Sequence, residues 1–334
     1  MSVREPKPAP RELTHPDAAG PGLAKVPRSA QNVVFILLIG LGWGLLGPAS
    51  KALFAAEPGT FDGITVAVAR AAWALPICLI ALAVVWRFAP PRLDARRWLA
   101  VVLAGVIFGP IITVVFSVAA QHTSVAHISF LFGLSPVTNT ALAALVFRTA
   151  LDRRAIVALV LGIAGVALLA ATHSSDKSAF LGDLLMVFWL IAFAVYACFL
   201  RFVGVRIKPP MLMCLVGTIA MAALLVPGIA LGYGGAIGHV VDTPSIAWWF
   251  CGEILLGSTL IAQPAYAAAV RRLGVALATI GAEYTALAVG VAASLAAHEA
   301  WTALTVAGGA ILCCALAVTF VPLPRALAHA RRGA

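Results

Sequence analysis

Ten apolar stretches of about 20 residues each, joined by short polar segments, set the limits on what this chain folds into. They lie near 32–54, 64–86, 98–120, 124–147, 154–172, 180–201, 210–232, 246–268, 274–297 and 301–322. As a helix rising 1.5 Å per residue, each is long enough to cross a hydrocarbon core about 30 Å thick. Barrel strands alternate apolar and polar positions over about ten residues, whereas these runs are continuous, so a barrel is excluded. Only 11% of the residues are charged, against about a quarter in soluble domains. Lipid must therefore cover much of the surface. The sequence predicts an all-α integral membrane protein of ten transmembrane helices.

The basic residues test this count independently, because Lys and Arg favour cytoplasmic loops. With the N-terminus placed inside, the inner segments hold Arg4 to Arg28, Arg87 to Arg97, Arg148 to Arg154, Arg201 to Lys208, Arg271 with Arg272, and Arg325 to Arg332. The outer side holds only Lys51 and Lys177, and Arg70 alone falls within a span. Both termini are expected in the cytoplasm, with the chain in the inner or plasma membrane. The net charge of +10 then reflects topology and contact with anionic lipid, and calls for no nucleic acid. Residues 1–31, rich in proline and mixed charge, read as a disordered cytoplasmic tail, and they lack the apolar core of a signal peptide. Residues 323–334 read as a cytoplasmic C-terminal tail. The six cysteines fall inside apolar stretches with no C-x-x-C or zinc spacing.

Sliding the chain by 150 residues places Trp43 on Phe193, Lys51 on Arg201, Phe116 on Tyr266, and "SVAHIS" (124–129) on "GVALAT" (274–279). The chain thus reads as two five-helix units, 32–172 and 180–322. An odd number of spans inverts the second unit relative to the first. Such a 5+5 inverted-topology repeat is common in secondary transporters, with the substrate site near the midplane between the halves.

Several stretches, in order, resemble a known family. They are "WGLLGPASK" (43–51), "SVAHISFLFGLSPV" (124–137), "GIAGVALL" (162–169), "GDLLMVFWLIAFAVYACFLR" (182–201), "LGSTLIAQPAYAAAVRRLGVALAT" (256–279) and "HEAWTALTVAGGAIL" (298–312). Over about 33–320 the chain resembles the EamA-type transporters of the drug/metabolite transporter superfamily. The resemblance implies carriage of amino acids, other metabolites, nucleotide-linked sugars or drugs. Departures from the family pattern are Thr149 opposite Glu299, Ala286 where a proline is expected, and Glu283 in place of an apolar residue.

Ionisable residues inside a span cost about 2.5–3.5 kcal/mol each and usually serve function. Glu283 is the deepest, roughly 14 Å into its helix, and reads either as an amine ligand or proton carrier, or as a structural partner in the bundle. Arg70 reads as a ligand for a substrate carboxylate or as a structural partner, with Glu253 and Glu283 both open as its counter-ion. His127 reads as a titrating or binding residue, or as a structural histidine near a helix end. His122 and His127 are five apart, a poor one-face spacing, so no shared metal site is expected. Trp43, Trp189, Tyr196, Gln263, Tyr266 and Tyr284 are candidates for an aromatic pocket with a few convergent polar groups. Lys51, Arg201 and Glu299 read as anchors at the membrane edge. In "GLGWGLLGPASK" (40–51), Gly40 and Gly44 have the G-x-x-x-G spacing that allows close helix approach.

The sequence holds no H-E-x-x-H, G-x-S-x-G or P-loop pattern. A membrane enzyme, an ATP-driven pump and a non-transporting receptor are therefore the lesser readings. The expectation is a non-enzymatic transporter without cofactor or metal, working by proton-coupled export, with exchange or facilitated diffusion as the alternative. Its expected partners are a small-molecule substrate, the bilayer, protons and a second copy of the chain.

Overall fold

An apolar segment in lipid must satisfy every backbone N–H and C=O internally, and a helix does so. In a computed structural model, residues 30–320 are described except 57–58, 89, 149, 152, 174–175, 205–206, 236, 239–249 and 274. Side chains at 204, 209, 250–253, 255, 267, 270–280 and 319–320 also lie outside the description. The described residues are helical and contain no strand. In chain order they form α1 (Ala30–Ala56), α2 (Gly63–Phe88), α3 (Ala95–His122), α4 (Val125–Val146), α5 (Arg153–Thr172), α6 (Lys177–Gly204) and α7 (Pro209–Ala230). Among the described residues, these seven are the helices long and apolar enough to cross a membrane. They are followed by α8 (Phe250–Ile261 continuing as Ala262–Leu273), α9 (Val275–Ala296) and α10 (Ala303–Phe320). The expected tails lie outside the described residues, except that Ala30 and Gln31 already belong to α1.

Proline and a wide turn interrupt the helices where the bundle needs it. In α4 a break falls at Leu134, and Pro136 sits in the first turn of the continuing piece Ser135–Val146. A proline there gives up an N–H that has no helical partner anyway. In α3, Ile107–Thr113 is a π-helix containing Pro110, and α8 opens with a π-helix over Phe250–Ile261. Each wide turn holds a threonine whose hydroxyl donates to the carbonyl five residues back: Thr113 to Phe108 (2.9 Å) and Thr259 to Ile254 (3.1 Å). Such turns recur at functional sites.

The helices pair in a pattern with internal correspondence. α1 packs on α8 and α9, and α6 packs on α3 and α4; α2 packs on α7, α4 on α9, and α5 on α10. Adding five to each helix number turns one pairing into another of the same set. The turn after α4 and the turn after α9 also correspond. Arg148 (φ 52°) and His298 (φ 53°) are, among the described residues, the two non-glycine residues in the left-handed region, and they are 150 positions apart. After α9 the turn closes with His298 N–H on Leu295 O (3.1 Å) and Glu299 N–H on Ser294 O (3.2 Å), the paired bonds of a Schellman ending.

The glycines of α1 mark its closest approaches. A side-chain carbon at Gly40 would meet Thr285 of α9, and one at Gly42 would meet the Gly257 carbonyl of α8. One at Gly44 would lie 2.7 Å from the Ala286 carbonyl. The G-x-x-x-G pair therefore seats α1 against α9.

Candidate functional site

A cavity of about 60 Å³ lies among α1, α2, α3, α4, α6 and α8. Its walls are mainly aromatic: Trp43, Phe108, Phe116, Phe132, Trp189 and Phe193. Phe132 stacks on Trp189 (5.0 Å between centroids), and Trp189 stacks on Phe193 (4.9 Å, 12° between planes). Tyr196, buried behind Phe193 and Phe108, continues this wall at 5.8 and 5.1 Å. Tyr266 backs Trp43 at 5.3 Å. The polar groups in the lining are Arg70, Thr113 and Gln263. Arg70 is buried and donates to Thr259 Oγ1 from Nη2 (3.0 Å) and Nε (3.3 Å). The same hydroxyl reaches back to Ile254, so the π turn of α8 sets the guanidinium's position. The indole Nε1–H of Trp189 is buried without a hydrogen-bond partner among the described residues.

Glu283 lies on α9 and is 1% exposed. Ser135, at the break in α4, faces its carboxyl, yet neither Ser135 Oγ nor Glu283 Oε2 completes a hydrogen bond among the described residues. One turn on, Ala286 lines a second, smaller space that shares Trp43, Phe116 and Phe132 with the main cavity. Glu283 and Arg70 form no ion pair with each other, and the Glu253 side chain lies outside the described residues.

The sequence over this first stretch of helices resembles a known family. Residues 31–171 match the EamA-like transporter family, within the drug/metabolite transporter superfamily. A solved crystal structure at 16% identity superposes with TM-score 0.51, spanning 86% of this chain and 96% of that chain, a likeness of fold. No curated protein matches the sequence. The chain is thus a multi-pass helical membrane protein, and its residues 31–171 are similar to the EamA-like transporters.

Of the expected residues, the structure brings Trp43, Arg70, Trp189 and Gln263 to one cavity, with Tyr196 and Tyr266 one layer behind. Tyr284, also expected there, is exposed. His127 is elsewhere. It sits in the first turn of α4 in the EamA-like half, 3.0 Å from both carboxylate oxygens of Asp183 on α6. Glu299, expected as an edge anchor, instead ties the second half to the first. Its carboxylate accepts the N–H groups of Val125 (2.8 Å) and Ala126 (3.0 Å), the free donors at the start of α4, and the Ser294 hydroxyl (2.6 Å). A carboxylate is stabilised there by the positive end of the helix. Sequence reasoning missed Phe108, Phe132 and Thr113 in the lining, because phenylalanines in apolar helices carry no mark of which side they face. It also missed His173 and Asp183 as neighbours of His127.

Proposed function

We propose that the chain is a secondary transporter of the inner or plasma membrane. In this reading it moves a small amphipathic metabolite bearing a carboxylate, an amino acid or a related compound. The observation that carries the reading is Arg70, a buried cation at the edge of an aromatic cavity built from helices of both halves. A planar guanidinium binds a carboxylate through two parallel hydrogen bonds, while stacked rings take the apolar part of the same molecule. The unpartnered indole N–H of Trp189 supplies a further donor.

The exchangeable helix pairings, the π turns in α3 and α8, and the matched turns at Arg148 and His298 support ten spans arranged as a 5+5 inverted repeat. The charge pattern supports cytoplasmic termini. On that arrangement the two halves rock about the cavity and open it alternately to each side. Glu283, buried beside Ser135, is the proposed proton carrier for export. Its place outside the main cavity favours proton-independent exchange or facilitated diffusion as the second reading.

Counterflow in proteoliposomes with amino acids, nucleosides and cationic drugs tests substrate class. The expected result is exchange of carboxylate-bearing amphipathic compounds, with KM at least about tenfold higher for Arg70→Gln, one to two charge-assisted bonds' worth. Exchange of cationic drugs alone, untouched by Arg70→Gln, overturns the substrate assignment.

A further inference from the structure

At the end of the bundle where α4 begins, α5 ends and α6 begins, three metal-ligating side chains converge. His127 Nδ1 lies 3.0 Å from each oxygen of the Asp183 carboxylate, and His173 Nδ1 lies 2.9 Å from Oδ2. The two imidazole rings lie 4.3 Å apart, tilted by 30°. All three candidate ligand atoms fall within 4.8 Å of one another. His127 and Asp183 are buried, and His173 is partly open to the outside.

The surrounding hydrogen bonds fix how His127 meets the carboxylate. The Thr172 hydroxyl donates to the Leu169 carbonyl (2.7 Å) and lies 3.3 Å from His127 Nε2. With its proton committed to Leu169, Thr172 accepts from Nε2–H. In the neutral ring Nδ1 then carries a lone pair and points it at two carboxylate oxygens. His173 brings a second Nδ1 to the same oxygen, and Thr123 Oγ1 donates to Oδ1. With His173 in the same tautomer, two ring lone pairs and a carboxylate face one point, an arrangement that a cation fits.

We propose that His127, His173 and Asp183 form a binding site for a divalent transition-metal ion, with Zn²⁺ the ion that fits best. Zinc takes imidazole nitrogen and carboxylate oxygen at about 2.0–2.2 Å, which puts tetrahedral ligand atoms about 3.3 Å apart. The spacing here needs only small side-chain rotations to reach that value. Magnesium and calcium prefer oxygen-only shells, so a His₂Asp set selects against them. Thr172 on His127 and Thr123 on Asp183 are the outer partners that orient ligands in such sites. Three protein ligands leave one position open toward His173 and solvent. The ligands come from α4, the α5–α6 junction and α6, so a bound ion crosslinks the two five-helix stretches at one end. The site is independent of the substrate carried.

The test uses full-length protein purified in detergent, stripped with chelator and dialysed against Zn²⁺, with bound zinc counted per chain. One tightly held Zn²⁺ per chain is expected, with affinity falling at least about tenfold in His173→Gln and Asp183→Asn, one lost ligand's worth. His122→Gln leaves retention unchanged, because His122 bonds Ser178 outside the cluster. Co²⁺ loading of the wild type gives a visible absorption band that Zn²⁺ displaces and His173→Gln abolishes. Asp183→Asn removes the centre of the network and can unfold the chain, so His173→Gln is the deciding variant, with size-exclusion profile as the check on folding. Equal zinc retention by the wild type and His173→Gln, or none by either, overturns the proposal and leaves a proton-shared hydrogen-bond network.

Discussion

Asp183 and Glu283 are both carboxylic acids buried in an apolar bundle, and their surroundings are opposites. Asp183 gathers Thr123, His127 and His173 around one carboxylate. Glu283 has Ser135 before it and an oxygen with no hydrogen-bond partner among the described residues. A buried charge survives only when paired and hydrogen-bonded, and otherwise the group is driven to its neutral form. The first acid is therefore built as a structural or ligating centre. The second lacks that support, and this is why it is the residue proposed above as the proton carrier.

Substitutions at three positions grade this contrast. Asp183→Ala removes the carboxylate on which Thr123, His127 and His173 converge, and it is expected to destabilise the protein by about 3–5 kcal/mol, read as a large drop in thermal midpoint in detergent. A drop no greater than that of a surface alanine breaks the comparison. Glu299→Ala strips two N–H groups at the start of α4 of their acceptor and is expected to cost about 1–2 kcal/mol. Glu299→Gln recovers part of this, since one amide oxygen still accepts. Glu283→Gln keeps shape and volume and loses no formed hydrogen bond at Oε2, so its cost is expected below about 1 kcal/mol. In proteoliposomes with and without a pH gradient, the same variant is expected to flatten the pH dependence of transport. An unchanged pH profile in Glu283→Gln removes the proton-carrier role.

Much of this fold was legible because a bilayer leaves few choices. Continuous apolar runs become helices, and the observed helices begin near the stretches read from sequence. Arg70 and Glu283 stood out because charge is rare in such segments. The glycines at 40 and 44 were readable as a packing face because small residues at that spacing have one main use. Other features had no local signal. His127, His173 and Asp183 are separated by 46 and 10 residues and meet only because α4 begins, α5 ends and α6 begins at the same end of the bundle. Glu299 carries an acid's usual edge position, and only the turn at His298 aims it at α4. Phe132 lines the cavity, but its neighbours in sequence are as apolar as it is.

The π turn in α3 has a geometric consequence. Phe108, Ile112 and Phe116 share one wall of the cavity, although residues eight apart drift by about 80° around a plain α-helix. The wider turn over Ile107–Thr113 takes up that drift by spending backbone, not by changing side chains. Length there acts as rotation: deleting a single residue would swing everything from Val114 onward by about 100°. Phe116 would then turn away from the cavity, with every side chain of the site still present in the sequence.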